Sequence, residues 1–271
     1  MTALRPTLVS LVALVSAGVG AEARLVVPAP RGVDDGGPWM AAPFDLTGDP
    51  ERAIRAMLEG TYVPGLARLD LGLLGRCLLA DTRHVEVDGD AIESALTPEW
   101  VALQQSTGDA SDFGALRTAS VDWVDATGDV AQVKVRLEFA ACVTNDYLSL
   151  VRLGGDWRVV AKTSRALGLE DGDPSPDVLP VDQIEATLRE FLLAEADPAH
   201  TGVRTWEADP LRSEAGPLEE VRVLEAAADG RMASVKLEST YKSGRIIDYW
   251  TLLSTADGWQ ALTRVSGPAA S

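Results

Sequence analysis

Histidine and cysteine are scarce in this chain, with two of each in 271 residues: His84, His200, Cys77 and Cys142. Two histidines, no C-x-x-C pair and no H-E-x-x-H leave no metal site to assemble. A G-x-S-x-G elbow, a phosphate-binding glycine loop and a dinucleotide fingerprint are also missing, so no cofactor is implied and the common hydrolase and nucleotide chemistries drop out. Basic residues are in deficit, 24 Lys and Arg against 41 Asp and Glu, for a formal charge of −17. A surface of that sign repels phosphate backbones and anionic lipid heads, which disfavours nucleic acid as a partner. Beyond the N-terminus no apolar run is long enough to span a bilayer, so stable membrane insertion is not expected. The acidic residues are scattered and offer no isolated carboxylate pair.

What the chain does have is apolar substance, 46% of its residues, enough for real cores and for two domains of ordinary size. Residues 1–23 read as a secretory signal. Arg5 gives a positive start, Leu8–Val19 is apolar but short for a membrane span, and Ala21-Glu22-Ala23 supplies a cleavage pattern. Cleavage after Ala23 and a secreted or periplasmic location are expected. In an exported chain the even cysteine count permits one disulfide; two buried thiols acting as small apolar residues are the alternative.

Two stretches are alike at a constant spacing. VAQVKV at Val130–Val135 matches MASVKL at Met232–Leu237, and DYLSLVRLGGDW at Asp146–Trp157 matches DYWTLLSTADGW at Asp248–Trp259. A fixed offset without gaps is the mark of a repeated supersecondary unit.

Residues 24–48 are rich in Pro and Gly without periodicity and read as an extended leader. Asp49-Pro50-Glu51 then carries three helix-start signals: a cap, a proline at the first position and an acid at the positive end of the dipole. Ile54, Met57, Leu58 and Tyr62 share one face of that helix. Further helices are expected over about Asp70–Leu79 and from Thr97, with a short strand at His84–Val87 between them. From Val121 the apolar period falls to two, giving strands through Val133, Val135, Leu137 and Phe139, then Tyr147–Leu153, a Gly154-Gly155 hairpin and Trp157–Lys162. The acidic, Pro-rich residues 167–180 read as a linker. Asp182 and Glu185 form a capping box for another helix, and four more strands follow. The expected organisation is therefore 49–166 as a complete α+β domain and 181–267 as an abbreviated one, lacking the second helix, first strand and third helix of the first.

Helices followed by a curved antiparallel sheet, with Asp146, Tyr147, Leu150, Gly155 and Trp157 in one half and Asp248, Tyr249, Leu252, Gly258 and Trp259 in the other, resemble the nuclear transport factor 2-like superfamily. The nearest branch is the one labelled putative lumazine-binding, or SnoaL-like. The resemblance implies two cone-like units, in each of which a bent sheet wraps over helices and leaves a pocket at the open end. Members of that superfamily include isomerases, dehydratases, cyclases and non-catalytic binding domains, so the fold alone does not assign a reaction.

Candidate chemistry is sparse. His84, in the complete domain, has the side chain suited to a general base, and Tyr147 to a hydrogen-bond donor. An exposed strand histidine is the competing reading for His84. The Asp-Tyr pair recurs at Asp248-Tyr249, which favours a structural role for Asp146 and Tyr147. Tyr62, Trp100, Trp123 and Phe139 are the candidate lining of an apolar pocket, or else core. Three functions compete. The first is an exported, non-catalytic tandem protein that binds a small apolar ligand or a protein partner, its two units packed sheet to sheet within one chain. The second is an isomerase, cyclase or hydrolase acting on a hydrophobic ring compound through His84 and Tyr147. The third is an accessory or structural component of a cell envelope.

Overall fold

The computed structural model describes residues 49–88, 91–106, 114–168, 181–194, 204–207, 216–255 and 258–269. The expected signal and leader at 1–48, His200 and nearly all of the expected linker lie outside them. The described residues all fall within one compact unit. Among the described residues no helix is long and apolar enough to cross a membrane.

Helix α1 (Pro50–Met57) starts where the sequence places it, with the Asp49 carboxylate accepting from the Glu51 amide at 3.0 Å. The helix widens into a π-turn over Leu58–Tyr62 and continues as α2 (Val63–Arg68). The apolar stripe Ile54, Met57, Leu58 and Tyr62 is buried along its whole length. Each such aliphatic side chain contributes roughly 1.5–3 kcal/mol. Helix α3 (Leu71–Cys77) is capped by Asp70, which accepts from the Leu73 amide at 3.1 Å.

Strand β1 (Leu78–Asp88) is longer than the expected His84–Val87, and β2 (Ala91–Leu96) has no counterpart among the expected elements. Helix α4 (Thr97–Ser106) follows, then β3 (Leu116–Thr127), β4 (Val130–Phe139), β5 (Cys142–Leu153) and β6 (Asp156–Gly168). These strands form one sheet in the order β2-β1-β6-β5-β4-β3. It is antiparallel except where β1 runs parallel to β6, so the expected antiparallel meander is mixed at one seam. Helices α1–α4 and the inner sheet face enclose a core of Ile54, Leu58, Tyr62, Leu74, Trp100, Val133, Val135, Leu137, Leu148 and Leu150.

The second half is simpler. Helix α5 (Val181–Ala194) lays Ile184, Leu188, Phe191 and Leu192 on the inner face of a sheet ordered β7-β11-β10-β9-β8, against Val235, Leu237, Trp250 and Leu252. Its strands are β7 (Arg204–Glu207), β8 (Leu218–Asp229), β9 (Met232–Tyr241), β10 (Gly244–Thr255) and β11 (Gly258–Pro268). The architecture is α+β, helices first and a curved sheet after, in both halves.

The correspondence between the sheets is residue by residue. Strands β3–β6 start at Leu116, Val130, Cys142 and Asp156; β8–β11 start at Leu218, Met232, Gly244 and Gly258, each 102 residues later. Register shifts between Val121 and Trp123 and between Ser149 and Leu150 recur between Val223 and Glu225 and between Thr251 and Leu252. The hairpin glycines Gly128 and Gly230, with φ of 60° and 58°, occupy equivalent turns that a side chain would strain. Strand β7 corrects one expectation. It pairs parallel with β11 at Arg204↔Thr263, as β1 pairs with β6 at Arg83↔Ala161, so the first strand is kept in shortened form rather than lost. Counterparts of β2 and α4 do not occur among the described residues.

Candidate functional site

Strand alternation decides which side chains meet inside the first cone. His84 pairs with Lys162 and Lys162 with Leu148; Glu86 pairs with Ser164 and Ser164 with Asp146. Leu148 belongs to the inner core, and these two rows share its face. The row between them, Val85, Thr163 and Tyr147, points the other way.

On the inner face one polar cluster runs from helix to sheet. Asp146, fully buried, accepts from Tyr62 Oη at 2.6 Å and from Ser164 Oγ at 2.5 Å, with Lys162 Nζ at 3.5 Å. Lys162 Nζ also sits 5.2 Å from the centre of the Trp100 ring, a cation–π distance. The other side of the cluster is a flat stack: the His84 and Trp100 rings lie 4.6 Å apart and 5° from parallel. Trp100 Nε1 donates to Glu86 Oε1 at 3.1 Å. Burial, and then the Asp146 charge, push the Tyr62 hydroxyl well above its ordinary pKa. Tyr62 is therefore a permanent donor, not a base.

His84 is neutral. Burial, assisted by the Lys162 charge, lowers its pKa to about 3. Its Nε2 lies 3.1 Å from Thr97 Oγ1, and that hydroxyl donates to the Leu79 carbonyl at 3.0 Å. The hydroxyl proton being committed, the network assigns the imidazole proton to Nε2. Nδ1 is left as a buried acceptor with no hydrogen-bond partner, on a residue only 2% exposed. Among the described residues it is the one buried group on the inner face of the first cone that is prepared for a donor it does not have, and an orphan of this kind calls for an explanation.

The residues expected to act together divide between the two faces. Tyr62, Trp100 and Phe139 belong to the inner core, Phe139 at its half-buried margin. Tyr147 and Trp123 lie on the outer face, edge to face at 6.4 Å, among Val85, Val87, Met232, Leu253 and Leu262. His84 and Tyr147 therefore do not converge, and Trp123 does not line the cone. The reason is register: β6 puts His84 in one row with Lys162 and Leu148, and Tyr147 in the next row with Thr163 and Val85, and adjacent rows of a sheet point to opposite faces. Lys162, Ser164 and Glu86 are the cluster residues that the sequence does not single out, whereas Asp146 is weighed there and favoured for a structural role. For Lys162 there is a signal, a basic residue in the buried return strand, which alternation alone places inside.

The second half repeats part of the cluster. Asp248 accepts from Ser266 Oγ at 2.5 Å and from Ser239 Oγ at 3.2 Å, where Asp146 has Ser164 and Tyr62. Arg264 replaces Lys162 and lies 5.0 Å from the Trp250 ring. At the backbone position of His84 stands Thr205. The Asp–Ser pair is thus common to both halves, and among the described residues the stacked histidine occurs in the first alone. The two cysteines are free and buried, Cys77 and Cys142 both raised to about 11 by burial, so neither is a ready nucleophile. Among the described residues no group of three metal-ligating side chains occurs.

Comparison with known proteins agrees on the first half. Residues 49–165 match the family described as "Putative lumazine-binding". Similar solved structures include a nuclear transport factor 2-like protein of unknown function from Silicibacter pomeroyi DSS-3, at 23% identity, covering 43% of this chain and 94% of that one, with a TM-score of 0.38. Another, from Shewanella baltica OS155, is 18% identical over 43% of this chain and 92% of its own, with a TM-score of 0.37. A third, from Methylobacillus flagellatus KT, is 17% identical over 45% and 98%, with a TM-score of 0.38. No curated protein matches the chain.

Proposed function

We propose, taking as premise that residues 49–165 are a nuclear transport factor 2-like domain of the lumazine-binding type, that the protein is an exported, non-catalytic holder of a small, flat, largely apolar molecule carrying an N–H or O–H donor. The observation that carries this reading is the His84–Trp100 stack with its unpartnered Nδ1 acceptor. A planar ring adds naturally to such a stack, and a ligand donor satisfies the orphan acceptor. Around this stack the inner face combines an apolar core with the few polar groups of the Asp146 cluster, as small-molecule sites usually do.

The non-catalytic part of the reading follows from the state of the polar groups. Tyr62 holds its proton, His84 is too weak a base at neutral pH, and both Asp146 oxygens are engaged. The same Asp–Ser pair recurs in the second half, where no stacked histidine occurs among the described residues. An acid–base mechanism through His84 and Tyr147 has no geometric support, because the two face opposite sides of the sheet.

Trp100 is 5% exposed, so a ligand entering the stack has to displace its ring. Titration of the purified protein with lumazine, and separately with an apolar naphthalene dye, should quench or shift tryptophan emission saturably and raise the melting temperature. Trp100→Ala should abolish the response, and His84→Phe should weaken binding of the donor-bearing lumazine more than of the dye. No saturable response to either probe would sink the reading. Export is tested by sequencing the mature N-terminus, expected to begin after Ala23; an intact Met1 in the cell interior would contradict it.

A further inference from the structure

The outer faces of the two sheets meet, and they meet reciprocally. Tyr147 of the first sheet packs with Met232, Leu253 and Leu262 of the second. Tyr249, the residue 102 positions after Tyr147, packs with Val130, Val151 and Val160, which are the residues equivalent to those three. When residue i touches j's equivalent and j touches i's equivalent, the interface is isologous: it has a local two-fold axis. The axis can be located from side chains. Gln132 and Ser234 are equivalent positions, and they touch each other, Ser234 Oγ donating to Gln132 Oε1 at 2.5 Å. Only residues on the axis meet their own equivalents.

That axial pair is unequal, one long amide against one short hydroxyl, and both are buried. Gln132 uses its length: Nε2 donates to Thr251 Oγ1 across the interface at 2.8 Å. The equivalent of Thr251 is Ser149, whose Oγ is buried with no hydrogen-bond partner. Ser234 is too short to reach it as Gln132 reaches Thr251. Next to the axis the inequality continues. Asp125 accepts from Lys236 Nζ at 2.8 Å and from Tyr249 Oη at 2.9 Å. Its equivalent is Ala227, whose methyl group can accept no hydrogen bond.

We infer that the unequal Gln132–Ser234 pair is a selection device that makes the second sheet of the same chain, rather than a second copy of the protein, the partner of the first sheet. Two first sheets face to face would bring Gln132 against Gln132 in a space closed around one glutamine and one serine, and overpacking of a closed site is costly. Two second sheets would leave Ser234 against Ser234 over a void, and would strip Lys236 and Tyr249 of the Asp125 carboxylate. Only the mixed pair fills the axis. This inference does not depend on the ligand reading, since the axis lies on the opposite face of the sheet from the cone.

The test exploits the symmetry and uses the full chain. Gln132→Ser and Ser234→Gln are made singly and together, with melting temperature and mass by light scattering as readouts. Each single change is expected to lower the melting temperature by roughly 3–8 °C, the first by a void and lost hydrogen bonds, the second by overpacking. The exchanged double variant should recover at least half of the summed loss. In it the long amide stands at position 234 and reaches the Ser149 hydroxyl, replacing the bond that Gln132 makes to Thr251. Additive losses in the double variant would overturn the inference. Should Ser234→Gln fail to fold alone, the double variant still decides: a folded, monomeric double supports the device, and an unfolded one opposes it. Mass is the second arm. The wild-type chain is expected to stay monomeric across a hundredfold range of concentration, and a dimer forming within it would count against selection for the chain's own sheet.

Discussion

At the scale of single residues the inner-face cluster of the first half holds Tyr62 protonated and His84 neutral. His84 makes this measurable. Its folded pKa of about 3 lies below the 6.5 of the unfolded chain. Between those values the unfolded state binds a proton that the folded state refuses, so stability falls as pH falls through that window. The slope attributable to His84 is roughly 1.4 kcal/mol per pH unit inside it. In His84→Phe, which keeps a flat ring against Trp100, that component should vanish from the pH dependence of urea unfolding. The His84 imidazole resonances should likewise stay in the neutral form from pH 8 to 5. A His84 that titrates near 6.5 would mean an open, solvated cone instead of the stack described above.

At the scale of elements the second half stands on one described helix. Leu188 of α5 is fully buried between Ile184 and the sheet residues. Leu188→Ala should cost about 2–5 kcal/mol in equilibrium unfolding, the range for a large-to-small change in a closed core. A cost below about 1 kcal/mol would show that α5 does not seal the second sheet. Helices and long strands are legible without coordinates because their signals are local: the Asp49-Pro50-Glu51 start, the Thr97-Pro98-Glu99 start, and the alternation from Val133 to Phe139. Three features are not. Strand β2, reading Ala-Ile-Glu-Ser-Ala-Leu, has no clean alternation and owes its form to pairing with β1. Strand β7 is four residues long and exists through a parallel pairing with β11, which no local pattern announces. The partition of His84 from Tyr147 depends on the register between β1, β6 and β5, a relation across residues far apart in sequence. The aromatic residues are legible as apolar, and only the fold separates Tyr62 and Trp100, inside the cone, from Trp123 and Tyr147, outside it.

At the scale of the molecule, one polypeptide supplies both members of a face-to-face sheet pair. The outer face of the first sheet, with Val130, Tyr147 and Val151, would be an apolar liability on an isolated domain. Here it is covered by residues held at a constant spacing of 102 along the same chain, and Gln132 and Ser234 mark the centre of the cover. The cone on the other face of the first sheet is then free to differ from its counterpart. That is where His84, Trp100 and α4 are found; in the second half Thr205 holds the His84 backbone position and α4 has no counterpart among the described residues. A crystal structure of the full chain is the most direct measurement of this arrangement. It should show a two-fold rotation laying β3–β6 onto β8–β11, equivalent residues matched throughout, with the Gln132 and Ser234 side chains touching on the axis. Sheets that lie apart, or a Gln132 side chain open to water, would contradict it.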